Sequence, residues 1–319
     1  MIKYVPWRRG NNRGIPALRF RLLTVLAALA AWALVAVGGV VRVTESGLGC
    51  PHWPLCTSRA IPLADKHSVI EYSHRALVAL VSVLAVAVAV GAWRGYRARR
   101  DLVVPALAAV CLVPLQALLG AVAVWLELPG WVVAFHFVVG MAFLATLVFT
   151  AAAAWRRAPT VATPAFARLS LAGALAGFAV VSVGAAVVAT DSAHACGKDW
   201  PACNGGFATG GAHAELQVSH RMLAYTVAAL ALALFLLALR GSGPRLVGSL
   251  PLLASLVQIG LGVAIVVAAG EGRAHESLAG LHVAGAGAVW ASVVALAAHI
   301  LPGRATAEAR LVSIPVPSS

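Results

Sequence analysis

Residues 71–75 read EYSHR, and residues 217–221 read QVSHR. A second histidine, His136, has its counterpart at His282. Both matches fall 146 positions apart (74 to 220, 136 to 282), so the histidines of each half are 62 apart (74 to 136, 220 to 282). A repeat at fixed offset decides the architecture and must be read first. This one extends outward. GGVVRVTESGLGCPHWPLC (38–56) parallels GAAVVATDSAHACGKDWPAC (184–203), and QALLGAVAV (116–124) parallels QIGLGVAIV (258–266). The last pair is offset by 142, which puts compensating length changes in the flanking loops, where they cost least.

The 319 residues are 61% hydrophobic and 11% charged, and the mean hydropathy is +0.89. A soluble domain carries about 25% charged residues. Eight apolar runs, at about 20–43, 73–93, 102–126, 132–154, 168–189, 218–239, 246–269 and 277–300, are long enough to cross a bilayer as helices. Cations gather on alternate connections: Arg19 and Arg21 before the first run, Arg94 to Arg100 after the second, Arg156, Arg157 and Arg168 after the fourth, Arg240 and Arg245 after the sixth, and Arg304 and Arg310 after the eighth. Most carboxylates lie on the other side. The positive-inside rule then puts both termini in the cytoplasm. The net charge of +13 reflects this orientation and points to no nucleic-acid partner.

The predicted fold is an all-α polytopic protein of the cell (plasma) membrane, with eight transmembrane helices in two tandem four-helix bundles. Four is an even number of crossings, so the repeat is parallel, with its pseudo-two-fold axis along the membrane normal. The division is a basic cytoplasmic tail (1–19), a first half (20–155), a cytoplasmic linker (156–167), a second half (168–300) and a cytoplasmic tail (301–319). The first apolar run is too long for a signal-peptide core and is expected to stay.

His74, His136, His220 and His282 fall just inside the extracytoplasmic ends of the even-numbered spans. Polar side chains within a membrane are costly and usually functional. Facing imidazoles on two helices of a bundle suit axial ligation of haem iron. The plainer reading is a histidine hydrogen-bonded to a neighbouring helix, and two matched pairs at one depth argue against it. A zinc site would need further carboxylate or thiol ligands at motif spacing. His52, His67, His194, His213 and His275 are expected in solvated outer loops, and His299 at an inner helix end.

Glu71 breaks the symmetry. It precedes His74 by three residues, on the same helical face, and the second half has Gln217 there. A carboxylate can take a proton or stabilise a cation, whereas an amide can only hydrogen-bond. A helix-dipole role for Glu71 is the structural alternative. Arg75 and Arg221 follow the paired histidines and are candidate partners for haem propionates, with interfacial snorkelling as the other reading. Arg42 has no cationic counterpart. Cys50 and Cys56, and likewise Cys196 and Cys203, lie outside the cytoplasm, where disulfides persist. Structural staples are the default reading, and a redox role for Cys50–Cys56 is the sharper one. Cys111 is expected to pack within a span.

Taken together, the first-loop sequence, the two SHR segments, Glu71, His136 and His282 resemble the haem A synthase family across about 20–300. The resemblance implies oxidation of a porphyrin methyl group of haem O to a formyl group. On that reading His74 and His136 would hold the substrate haem, and Glu71 would stand beside the reacting methyl. His220 and His282 would ligate a haem b cofactor. Implied partners are haem O, the enzyme that makes it, and an electron acceptor. Two other readings compete. A bis-histidine b-type cytochrome would leave the asymmetry of Glu71 unexplained. A transporter with a histidine proton relay would be expected to break its helices near the midplane.

Overall fold

Long Ala/Val/Leu runs leave the backbone no partner in lipid except itself, and such segments close their hydrogen bonds as helices. In the computed structural model, which describes residues 17–50, 52–57, 65–156, 162–203, 205–207, 211–267 and 273–300, they form α1 (Ala17–Val43), α2 (Lys66–Gly95), α3 (Arg100–Trp125), α4 (Gly130–Trp155), α5 (Pro164–Ala189), α6 (Ala212–Leu239), α7 (Arg245–Val267) and α8 (Arg273–Ile300). All eight are long and apolar enough to span a membrane. The expected tails, except residues 17–19, and residues 157–161 of the linker lie outside the described residues, while 164–167 belong to α5.

Alanines fill much of the interior beside buried large side chains such as Phe20, Met141 and Phe166, and many other large apolar side chains face outward. Ala27, Ala85, Ala92, Ala106, Ala109 and Ala298 are fully buried, whereas Leu246, Trp131 and Val83 are about two-thirds exposed or more. This distribution is what lipid favours, because helix association there rests on close approach of backbones. At Gly39 a β-carbon would come within 2.8 Å of Val283, so α1 and α8 meet at a glycine.

α1 packs on α2, α4 and α8; α4 also packs on α3, α5 and α8; α5 on α6 and α8; and α7 on α6 and α8. Two indole N–H groups tie these helices together, Trp32 to Ala284 O (2.9 Å) and Trp290 to Met141 O (2.8 Å). At one end of the bundle, arginines satisfy carbonyls that the last helical turns leave free. Arg21 donates to Ala154 O, Arg99 to Ala153 O and Arg156 to Ala298 O. Asp101 pairs with both Arg99 and Arg156. The opposite end carries two 3₁₀ turns, Ser46–Leu48 after α1 and Ser192–His194 after α5.

α2 and α6 begin well before the apolar runs at 73 and 218, at Lys66 and Ala212. Their first two turns are polar and carry no hydropathy signal. Asp65 caps α2, its carboxylate accepting the Ser68 N–H at 3.0 Å. Cys111 is exposed on α3 rather than packed, a position that faces lipid.

Candidate functional site

The helix starts set the depth of the four histidines. His74, His136, His220 and His282 lie 8, 6, 8 and 9 residues beyond the first residues of their helices (66, 130, 212 and 273). Each is half-buried and rests against a glycine of the preceding helix. A β-carbon added at Gly38 would lie 3.4 Å from His74 Nε2, and at Gly120 3.6 Å from His136 Cε1. At Gly184 it would lie 2.9 Å from His220 Cε1, and at Gly262 3.3 Å from His282 Cε1. Sequence reasoning missed these four glycines, although Gly120 and Gly262 stand in the matched segments QALLG and QIGLG. Gln116 and Gln258, which open those segments, donate to the carbonyls of His136 (3.1 Å) and His282 (2.9 Å).

His220 and His282 face each other with ring centroids 6.4 Å apart and planes inclined at 69°. A metal–imidazole bond is about 2 Å, and a ring nitrogen sits about 1.2 Å from its ring centre, so this separation leaves room for one metal between the two rings. His74 lies within charge–charge reach of His136. Nδ1 of His136, His220 and His282 is buried without a well-formed hydrogen bond. No cluster of three or more His, Cys, Asp or Glu occurs among the described residues. Two imidazoles per site suit a metal that brings its own equatorial ligands, as haem iron does, better than a bare ion.

Glu71 is 4% exposed. Its Oε2 accepts the Cys50 N–H at 2.7 Å, and its Oε1 pairs with Arg75 Nη2. Arg75 Nη1 donates to His52 O (2.6 Å) and Leu55 O (3.0 Å). The Arg75 guanidinium is thus engaged by a carboxylate and by carbonyls of the first outer loop. That loop is closed by the Cys50–Cys56 disulfide, and its counterpart by Cys196–Cys203. In the second half Arg221 Nη1 likewise donates to loop carbonyls, at Asp199 (2.8 Å) and Ala202. Gln217 turns its Nε2 to Ala193 O, and Arg221 Nη2, Gln217 Oε1 and Tyr225 OH are buried without partners.

Three outer histidines, His67, His213 and His275, lie on helices rather than in loops, because α2, α6 and α8 start early enough to include them, and His67 and His213 remain exposed there. His67 on α2 bonds Ser46 Oγ (3.1 Å), and His213 on α6 bonds Ser192 Oγ (2.7 Å). The same clasp thus joins each 3₁₀ turn to the next helix. His275 on α8 lies 5.7 Å from His194, ring to ring. His299 Nδ1 meets Ala295 O at 2.9 Å. Arg42, in the last turn of α1, is exposed.

A family profile described as cytochrome oxidase assembly protein (COX15-CtaA) matches residues 21–294. The chain belongs to this family. Among its curated relatives, the haem A synthase of Halalkalibacterium halodurans is 33% identical over 195 residues. That stretch is 58% of this chain and 65%, just under two thirds, of the relative. The haem A synthase of Exiguobacterium sibiricum is 32% identical over 213 residues, 64% of this chain and 71% of the relative. That of Shouchella clausii is 29% identical over 259 residues, 77% and 86% of the respective lengths.

Proposed function

We propose that this chain is a haem A synthase, oxidising a porphyrin methyl group of haem O to a formyl group. His74 and His136 hold the substrate, and His220 and His282 hold a haem b. The observation that carries the reading is the inequality of two otherwise matched sites: each has two imidazoles seated on glycines, and only the first has a buried carboxylate. A carrier of electrons alone would not call for a buried carboxylate at one of the two sites and an amide at the other.

The architecture proposed with this function is two four-helix halves, 20–155 and 168–300, related by a parallel pseudo-two-fold axis. Recurrence of the Ser–His clasp, the Gln-to-carbonyl bond and the Arg-to-loop bonds supports the repeat. The arginine-rich end, with both termini, faces the cytoplasm, and the haem sites lie toward the extracytoplasmic side of the plasma membrane.

The overall change from methyl to formyl takes up one oxygen from water and releases four electrons and four protons. In the first round a C–H bond breaks, a C–O bond to water forms, and two electrons and two protons leave. The second round repeats this on the alcohol, and the resulting geminal diol loses water. On this reading Glu71 orients the attacking water and takes its proton. A haem on His220 and His282 would supply one-electron redox capacity, and the electrons pass to an external one-electron acceptor. Arg221, with one guanidinium nitrogen unsatisfied under the second loop, is the proposed partner for a propionate there. Haem O is expected to be handed over by the enzyme that farnesylates it.

Pyridine haemochrome analysis of the purified protein tests this. Haem b together with haem O or haem A is expected. Haem b alone, in cells that make haem O, would leave only the electron-carrier reading.

A further inference from the structure

We propose that Arg75 is a positioning residue for the reaction: it seats Glu71 and couples that carboxylate to the disulfide-closed loop 50–57. This rests on the role of Glu71 proposed above and assigns Arg75 a task other than binding haem.

The two halves separate the two things an arginine at this place does. Arg75 and Arg221 both reach across to their loops, the first to His52 O and Leu55 O, the second to Asp199 O and Ala202 O. Clamping the loop is therefore common to both sites. Only Arg75 also holds a carboxylate, through Nη2 and Glu71 Oε1; the corresponding nitrogen of Arg221 has no partner. The planar fork of guanidinium lets one side chain serve carbonyls and carboxylate at once, which an ammonium does less well.

The second oxygen of Glu71 is fixed from the same loop, by the Cys50 N–H at 2.7 Å. The preceding residue is anchored as well, with Ser68 Oγ donating to Gly49 O at 2.5 Å. A β-carbon at Gly49 would run into the backbone of His67, so loop and helix are in contact there. Glu71 thus has both oxygens tied to a structure that Arg75 and the Cys50–Cys56 bond hold in place. Loosening either end would let the carboxylate swing, and a displacement of about 1 Å at a reacting group can cost about 100-fold in rate.

The test is a double-mutant cycle read as conversion per bound haem O, with residual activities followed chromatographically over long single turnovers. R75Q is expected to lower conversion about 100-fold in the parent and less than about 3-fold when E71Q is already present, because residues acting as a unit are not additive. R75Q should also speed reduction of Cys50–Cys56 by dithiothreitol without affecting Cys196–Cys203, a readout independent of turnover. R75K, which keeps the charge and loses the fork, should fall between R75Q and the parent. It takes over the cycle if R75Q does not fold. Equal losses in both backgrounds, or parental conversion by R75Q, overturn the assignment of Arg75. Parental conversion by E71Q instead overturns the role of Glu71 itself, so the two failures are distinguishable.

Discussion

Four glycines seat four imidazoles, and adding one methyl group at each is a graded test of the haem-site reading. Carbon atoms in contact prefer about 3.5–4.0 Å. At Gly184 the new carbon would stand 2.9 Å from His220 Cε1, at Gly262 3.3 Å from His282 Cε1, at Gly38 3.4 Å from His74 Nε2, and at Gly120 3.6 Å from His136 Cε1. Relief at Gly184 requires the ring to move by more than half an ångström, whereas metal–ligand distances hold to about 0.2 Å. Overpacking of this kind costs about 1–3 kcal/mol, or about 5- to 140-fold in affinity at about 1.4 kcal/mol per tenfold. Gly184→Ala should therefore lose most of its second-site haem, Gly262→Ala part of it, and Gly120→Ala none. Haem stoichiometry and the reduced-minus-oxidised spectrum measure this, with far-ultraviolet circular dichroism as the check on folding. Full haem content in Gly184→Ala alongside loss in Gly120→Ala would refute the reasoning.

Three further outcomes are expected. His220→Ala should strip haem from the second site and leave haem O binding by the first, and an unchanged Soret band would contradict the ligand assignment. Glu71→Gln should cut haem A formation to a small residual rate while the bound-haem spectrum stays near that of the parent; full activity would remove Glu71 from the chemistry. Hydrogen bonds from Ser68 hold the Asp65 carboxyl below its ordinary value. Its capping contribution is therefore complete above the usual aspartate range and fades as pH falls through the lowered value. The difference in melting temperature between parent and Asp65→Asn should shrink over that fall, and a constant difference would show that ionisation of the cap does not matter.

Hydropathy alone located the eight spans, since twenty-odd apolar residues carry that information locally. The histidine pairs were legible because they recur at one offset. What the sequence left hidden depends on which atoms meet across helices. The early starts of α2 and α6 lie in polar turns around Ser68 and Gln217, where only Asp65 signals a helix. Partners of Arg75 were out of reach because backbone carbonyls at His52 and Leu55 have no sequence signature. The exposure of Cys111 was equally hidden, since in lipid an apolar residue is as comfortable on the outside as within. The glycine seats had a faint signal, Gly120 and Gly262 each following a repeated glutamine by four residues.

The direct packing of α4 on α8, bridged by the Trp290 indole and Met141, joins the helix that bears His136 to the helix that bears His282. On the reading proposed above, this seam gives charge moving between the two pockets a direct route through protein.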